Sequence, residues 1–324
     1  MSARRWTHQT AEKIARCLAE SLQLKISATA VRRLLKKLGY SLKSNRKCLS
    51  AGNSPYRDAQ FAVIKRLRQQ FAHSGDPVIC VDSKKKELIG LFKNPGKIWC
   101  RDAPQVQDHD FRSQAVGLAC PYGIYDVDRN FGVLVVGQSA DTPAFAVNSI
   151  LTWWRQHGQD HYRRSQRLLV LADCGGSNGA APRAWKKLLQ ERLADPYGLT
   201  ITVAHYPPGA SKWNPIEHRL FSEITKNWAG EPLKSFQTLV DFARKTRTQT
   251  GLRVEAYRDR RVYQKGIKVS DQQLEQLSFA RSNFLGKWNY TFSPRPQSRA
   301  QPHSEAILTT VQADPPTPET QQAA

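Results

Sequence analysis

Three carboxylates stand at three different kinds of place in this chain. Asp82 lies inside the apolar run VICVDSKKKELIG. Asp173 ends the apolar run LLVLAD and is followed at once by CGGSNG. Glu217 lies just inside SKWNPIEHRLFSEI, which reads as the start of a helix. A strand-borne Asp, a strand-end Asp and a helix-borne Glu are what a two-metal phosphoryl-transfer site needs. Each Mg²⁺ is a hard cation that takes carboxylate oxygens and keeps positions open for water and phosphate. Asp82, Asp173 and Glu217 are therefore the candidate catalytic residues and the candidate ligands of two Mg²⁺ ions, with Mn²⁺ as the alternative metal.

Each of the three also has a plainer reading. Asp82 fits a backbone-bonded Asp or a partner of Lys84, Lys85 or Lys86, although Asp is depleted in strands and an unpaired buried carboxylate is costly. Asp173 fits a turn former at a strand end. The CGGSNG that follows lacks both GK[ST] and GxGxxG, so it is a weak nucleotide-binding signal. Glu217 has the best plain alternative: with Asn214 as N-cap and Pro215 in the first turn, it would complete a capping box. Glu223, one to two turns later, competes as the third carboxylate. A first-turn residue just after a strand and a PPG turn lies nearer the active edge of a sheet, and that favours Glu217.

The charge balance points to a polyanionic partner. Lys and Arg number 49 against 27 Asp and Glu, a formal net charge of +22, and such an excess speaks to partners rather than to fold. Residues 1–50 alone hold twelve Lys/Arg and two Asp/Glu, a net of +10. In that segment Thr10 is placed to cap one helix and Ser27 a second. The second carries Val31, Leu34, Leu35 and Leu38 at helical spacing, with Gly39 just past its end. That is the outline of a helix-turn-helix, with Arg32, Arg33, Lys36 and Lys37 off the apolar stripe and free to meet phosphates. The alternative is an ordinary amphipathic hairpin with a solvated basic face.

The elements behind the carboxylates follow in order. DAQFAVIKRLRQQFAHSG reads as a helix and VICVD as a strand. AVGLACPYGIYDVDRNFGVLVVGQ reads as two strands with a turn near Asp128 to Asn130. DTPAFAVNSILTWWRQHG is a helix capped by Thr142 or Asp141, and LLVLAD a buried strand. A helix over APRAWKKLLQERLAD, a strand over LTITVAHYPP and the Glu217 helix complete the series. Three antiparallel strands followed by alternating helix and strand predict an α/β fold, a ribonuclease H-like catalytic core with a mixed central sheet, preceded by the all-α segment. In that arrangement the first and fourth strands lie side by side, which brings Asp82 and Asp173 together. Ser177 reads as a turn former and His205 as a strand residue near the site.

The domain boundaries expected are 1–50 for the helix-turn-helix, 51–76 for a linker and helix, 77–292 for the catalytic domain with a C-terminal extension, and 293–324 for a disordered tail that holds six of the eighteen prolines. The six cysteines form no CxxC pair, as in a reducing compartment. No apolar signal region opens the chain and no run approaches the roughly 18 apolar residues of a span. A soluble cytoplasmic protein at the nucleoid is the expectation.

The segments VDSKKKELIG, PYGIYDVDRNFG, LLVLADCGGSNG, HYPPGASKWNPIEHRLFSEITKNWAG and KGIKVSDQQLEQL together resemble the ISAzo-type, or Rhodopirellula-type, transposases of bacterial insertion sequences. The likeness runs from about Trp6 to Tyr290. It implies a DDE transposase that cleaves and transfers DNA strands with two divalent metals, with Asp82, Asp173 and Glu217 as the DDE set. The partners it implies are double-stranded DNA, as terminal inverted repeats and as target, and further copies of the chain assembled on DNA. Family members carry a further helical stretch ahead of the segment that opens this chain, so an N-terminally incomplete DNA-binding region is expected. Two rival functions remain: another ribonuclease H-like nuclease, and a DNA-binding transposase remnant without catalysis.

Overall fold

The computed structural model describes residues 7, 9–43 and 54–296. The tail expected from residue 293 falls outside the described residues from 297 onward. The chain divides into two compact units, residues 1–50 and 51–324.

The first unit holds α1 (Ala11–Leu22) and α2 (Ala28–Lys37). Thr10 Oγ1 accepts from the Lys13 N–H at 3.3 Å, and Ser27 Oγ from the Ala30 N–H at 3.2 Å, so both helices start on the side-chain caps the sequence offers. Gly39, at φ +81°, ends α2 in the left-handed region. The expected apolar stripe is only partly used. Val31 is buried, but Leu34 and Leu38 are 50% and 71% exposed. Spacing fixes which residues share a face; it does not supply the surface that covers them.

The second unit begins with α3 (Arg57–Ser74). A single large sheet follows: β1 (Val78–Ser83), β2 (Glu87–Ile89), β3 (Gly117–Asp126), β4 (Phe131–Gly137), β5 (Arg167–Ala172), β6 (Thr200–His205), β7 (Arg253–Asp259), β8 (Phe279–Arg281) and β9 (Asn289–Phe292). Its order is β7-β4-β3-β1-β5-β6-β9-β8, with β2 added against the start of β3. β1, β3 and β4 form an antiparallel meander, and β5 and β6 continue parallel to β1. This is the ribonuclease H-like arrangement expected from the order of the elements. Beyond it the sheet is longer than expected. β7 extends one edge parallel to β4, and β9 with β8 closes the other against β6.

Two cores flank the sheet, and strand alternation decides who faces which. Ile79, Val81, Leu168 and Val170 join the core under α4 (Pro143–Trp153) and the helix Arg183–Leu189. Val78, Cys80, Leu169 and Leu171 join the opposite core, with Ile64 and Phe71 of α3 and with Leu220, Phe221 and Ile224 of the segment after Pro215. Continuing each alternation by one step puts Asp82 and Asp173 on this second face.

Two glycines let that segment approach the sheet. A Cβ on Gly123, the β3 residue paired with Asp82, would overlap the Phe221 ring and come within 3.0 Å of Ile216 Cδ1. A Cβ on Gly132 would overlap Leu220. Bare backbone at these positions is what brings the helix start down beside Asp82. Among the described residues no helix is long and apolar enough to cross a membrane.

Candidate active site

The carboxyl ends of β1 and β5 build the site. Val81 pairs with Ala172 in parallel register, so Asp82 and Asp173 are the next residues along two adjacent strands. Asp82 is still within β1, and its Oδ1 accepts the Ser83 N–H at 2.8 Å. Asp173 lies just past β5, where the chain turns through Gly176 at φ +76°. That turn folds back against β1: Asn178, buried, reaches the Val81 carbonyl at 3.5 Å, and Ser177 Oγ lies 3.5 Å from Ser83 Oγ. Ser177 is thus a buried turn residue.

Glu217 opens a π-helical turn, Glu217–Phe221, that runs into the helix Ser222–Asn227. The capping box that rivals its catalytic reading does not form. The Asn214 N–H bonds the Ser211 carbonyl at 2.9 Å and not the Glu217 side chain, so only half of the box is made: Asn214 Oδ1 accepts the Ile216 N–H at 3.4 Å. From the same fully buried position its Nδ2 donates to Asp173 Oδ1 at 3.1 Å, toward the strand end. Sequence reasoning misses this bond. The capping signature at Asn214 is its only trace in the sequence, and it accounts for the oxygen of the amide but not for its nitrogen.

The electrostatics follow from burial and like charge. Burial, then the neighbouring Asp173 and further off Glu217 and Asp141, pushes the Asp82 carboxyl up to about 8, against the help of its Ser83 N–H bond. Burial raises Asp173, opposed by the Asn214 bond. Burial and then Asp173 raise Glu217, with His218 and Lys84 opposing. The three groups share one field. Glu223 does not figure in it: its Oε1 is paired with Lys226 Nζ at 2.7 Å.

Asp141 is a second residue whose place the sequence does not reveal. Thr142, not Asp141, caps α4, its Oγ1 accepting from the Phe145 N–H at 3.2 Å. Asp141 Oδ1 is left buried with no hydrogen-bond partner, on the same edge as Asp82. His205 is a core residue. Its ring spans from the Asp173 carbonyl at 2.9 Å to the Tyr290 hydroxyl at 2.8 Å, and burial lowers its pKa to about 4. It braces the backbone of Asp173 from below.

Whether a metal fits can be judged from these donors. They are carboxylate oxygens on one strand edge, desolvated and mutually repelling, and that chemistry suits a hard divalent cation. Among the described residues, however, no group of three His, Cys, Asp or Glu side chains is gathered closely enough to hold one. Of the residues expected to meet DNA, Arg32, Arg33, Lys36 and Lys37 are all exposed on α2, and Arg32 is paired with Glu12 of α1.

Residues 1–294 match the family described as Rhodopirellula transposase DDE domain. No curated protein matches the chain. Among solved structures the chain is similar to a Mos1 transposase paired-end complex with left transposon end, at 13% identity over 75% of this chain and 72% of that one, with a TM-score of 0.44. It is similar to a pre-cleavage Mos1 transpososome at 17% identity over 72% and 65% of the two chains, TM-score 0.42. A mariner Mos1 paired end complex with Mg gives 16% identity over 75% and 72%, TM-score 0.43.

Proposed function

Since this chain belongs to the Rhodopirellula transposase DDE-domain family, we propose that Asp82, Asp173 and Glu217 are the carboxylates with which it cuts and joins DNA. The chain is a DDE transposase, an enzyme of DNA cleavage and strand transfer. The observation that carries the residue assignment is the parallel register of β1 and β5. It makes Asp82 and Asp173 neighbours on the face covered by the Glu217 segment.

The reaction is in-line displacement at phosphorus, by water in cleavage and by a DNA 3′-hydroxyl in strand transfer, without a covalent protein–DNA intermediate. Two divalent ions, Mg²⁺ or Mn²⁺, would when bound supply Lewis acidity toward the phosphoryl oxygens. Asp82, Asp173 and Glu217 are the residues that would hold these ions. The fold contributes orientation. The Ser83 N–H fixes one oxygen of Asp82 and the Asn214 amide one oxygen of Asp173, so the remaining lone pairs keep a set direction. Burial removes competing water from both Asp side chains, and Lys84, held on Glu87 at 2.7 Å, sets a positive charge near Glu217. The DNA partners are the element's terminal inverted repeats and a target duplex, read in part by Arg32, Arg33, Lys36 and Lys37, with copies of the chain acting together.

The test is Mg²⁺-dependent nicking of element-end DNA by Asp82→Asn, Asp173→Asn, Glu217→Gln and Glu223→Gln. The first three lose nicking and keep DNA binding, because an amide keeps the shape but not the charge a hard cation needs. Glu223→Gln stays active. An active Glu217→Gln beside an inactive Glu223→Gln would move the third carboxylate to Glu223. A folded wild type that binds and never nicks would make the chain a non-catalytic remnant.

A further inference from the structure

The excursion between β2 and β3 leaves and returns on the side of the sheet where β1 ends, six residues along β3 from the Gly123 that pairs with Asp82. β2 follows Ser83 by three residues, and β3 starts at Gly117, beside Ile89. Between them, residues 90–116 carry four exposed large apolar side chains: Leu91, Trp99, Phe111 and Val116, at 45%, 106%, 56% and 72% exposure. Trp99 stands out by contrast with Trp153, Trp154, Trp185 and Trp228, all of which are buried. Isolated exposed apolar residues are ordinary, but this one has a particular setting. From Leu91 to Arg101 the chain reads LFKNPGKIWCR, with exposed Lys93, Lys97 and Arg101 and no carboxylate.

The backbone that presents Trp99 is tied down. The Gly90 N–H bonds the Leu233 carbonyl at 2.8 Å, and Asn94 Nδ2 the Glu231 carbonyl at 2.6 Å. The Gly230 N–H bonds the Pro95 carbonyl at 3.0 Å, and the Gln107 N–H the Leu91 carbonyl at 2.8 Å. Gly96 packs so closely on Ala229 that a Cβ there would lie 2.7 Å from the alanine methyl. The strap is thereby anchored to the turn just past the helix Ser222–Asn227. A fully solvated indole next to backbone held by these bonds, with cations two and six positions away in the chain, loses little freedom on binding a flat anionic partner.

We propose that this strap is a DNA-binding element in which Trp99 stacks on an unpaired base, while Lys93, Lys97 and Arg101 hold the adjoining phosphates. Base–aromatic stacking is indifferent to sequence because every base offers a π-face, and cationic residues beside the ring track the backbone. The strap stands beyond the strand end that carries Asp82, on the side of the sheet where a DNA end would be made, so an unpaired base is the partner its location favours. The inference rests on the DNA-cutting assignment of that strand end.

The experiment uses the full chain in EDTA, so that no nicking intervenes. Binding is followed by anisotropy with a fully paired 30-base-pair duplex and with the same duplex carrying one bulged 2-aminopurine. Wild type binds the bulged duplex more tightly and quenches the 2-aminopurine. Trp99→Ala loses about 5- to 150-fold on the bulged duplex, the range of one stacked base, loses the quenching, and binds paired DNA as before. Trp99→Phe restores most of both. Equal affinity of wild type and Trp99→Ala for the bulged duplex would overturn the proposal, as would an equal loss on both duplexes. A Trp99→Ala melting curve matching wild type excludes misfolding. Nicking in Mg²⁺ is scored separately. Wild type that stacks through Trp99 but never nicks removes the catalytic assignment and leaves the strap; wild type that nicks without Trp99-dependent quenching does the reverse. Wild type that binds neither duplex removes both.

Discussion

Replacing Asp82 by Asn should make the metal-free protein more stable while destroying its chemistry, and the stability gain should grow with pH. The Asp82 carboxyl ionises near 3.8 in the unfolded chain and at about 8 in the fold, first because it is buried and second because Asp173 lies beside it. Between those values the folded state keeps a proton that the unfolded state has lost. Stability from this group is therefore intact below about pH 4 and drains as pH rises through about 8. The gap is about four pH units at about 1.4 kcal/mol each, a ceiling of about 6 kcal/mol. Relaxation and water entry reduce that, and about 1–3 kcal/mol is the expectation. Asn loses no proton and still accepts the Ser83 N–H. In EDTA at pH 9 the variant should melt about 2–12 °C above wild type, at about 2–4 °C per kcal/mol for a domain of this size. At pH 4 the two curves should nearly coincide. Saturating Mg²⁺ should narrow the gap at pH 9 by raising wild type alone. The assay is thermal melting by circular dichroism at the two pH values, with and without Mg²⁺. A variant that melts at or below wild type at pH 9 would refute the argument, because it would mean that the fold itself compensates the charge of Asp82.

Asn214→Ala should weaken Mg²⁺ or Mn²⁺ binding by about 10–100-fold, the usual cost of removing a group that orients a ligand, read from titration of melting temperature against metal. Replacing Arg32, Arg33, Lys36 and Lys37 together by Ala should lower the slope of log affinity against log salt by up to about 0.9 for each phosphate these cations neutralise, measured on a terminal-repeat duplex. The His205 pKa is depressed to about 4, so its contribution to stability is present above about pH 6.5 and lost as pH falls through about 4. His205→Gln should flatten that acid limb in pH-dependent melting.

Much of the site is legible in the sequence because strand alternation and chain order are sequence properties. The run VICVD sets the face of Asp82, LLVLAD that of Asp173, and the meander-then-crossover order puts the two strands together. β7 escapes such a reading because RVEAYRD alternates only weakly and gains its place by pairing with β4, about 120 residues back in the chain. β9 reads as nothing on its own; it is made a strand by the open edge of β6. The Leu34 and Leu38 stripe is legible as a face, while its exposure depends on what lies against it. Asn214 and Asp141 show the limit most clearly. Both carry cap-forming side chains beside helix starts, yet one caps with its oxygen while its amide holds Asp173, and the other yields the cap to Thr142. Which of two equally suited neighbours bonds the backbone is decided by tertiary packing.

The parallel pairing of β1 with β5 also sets a clock. Val81 and Ala172 must meet across 91 positions, and β6 gains its outer neighbour only when β9 has been made, near the end of the described chain. Pairings this distant form slowly and late. α1 and α2, by contrast, pack on each other within the first 37 residues. During synthesis, at about 5–20 residues per second, the basic helices leave the ribosome tens of seconds before the cutting edge is complete. If α1 and α2 meet DNA as proposed, a fragment that ends before β9 keeps those helices while lacking the strand that closes the edge of β6, and would compete with intact copies for the same DNA.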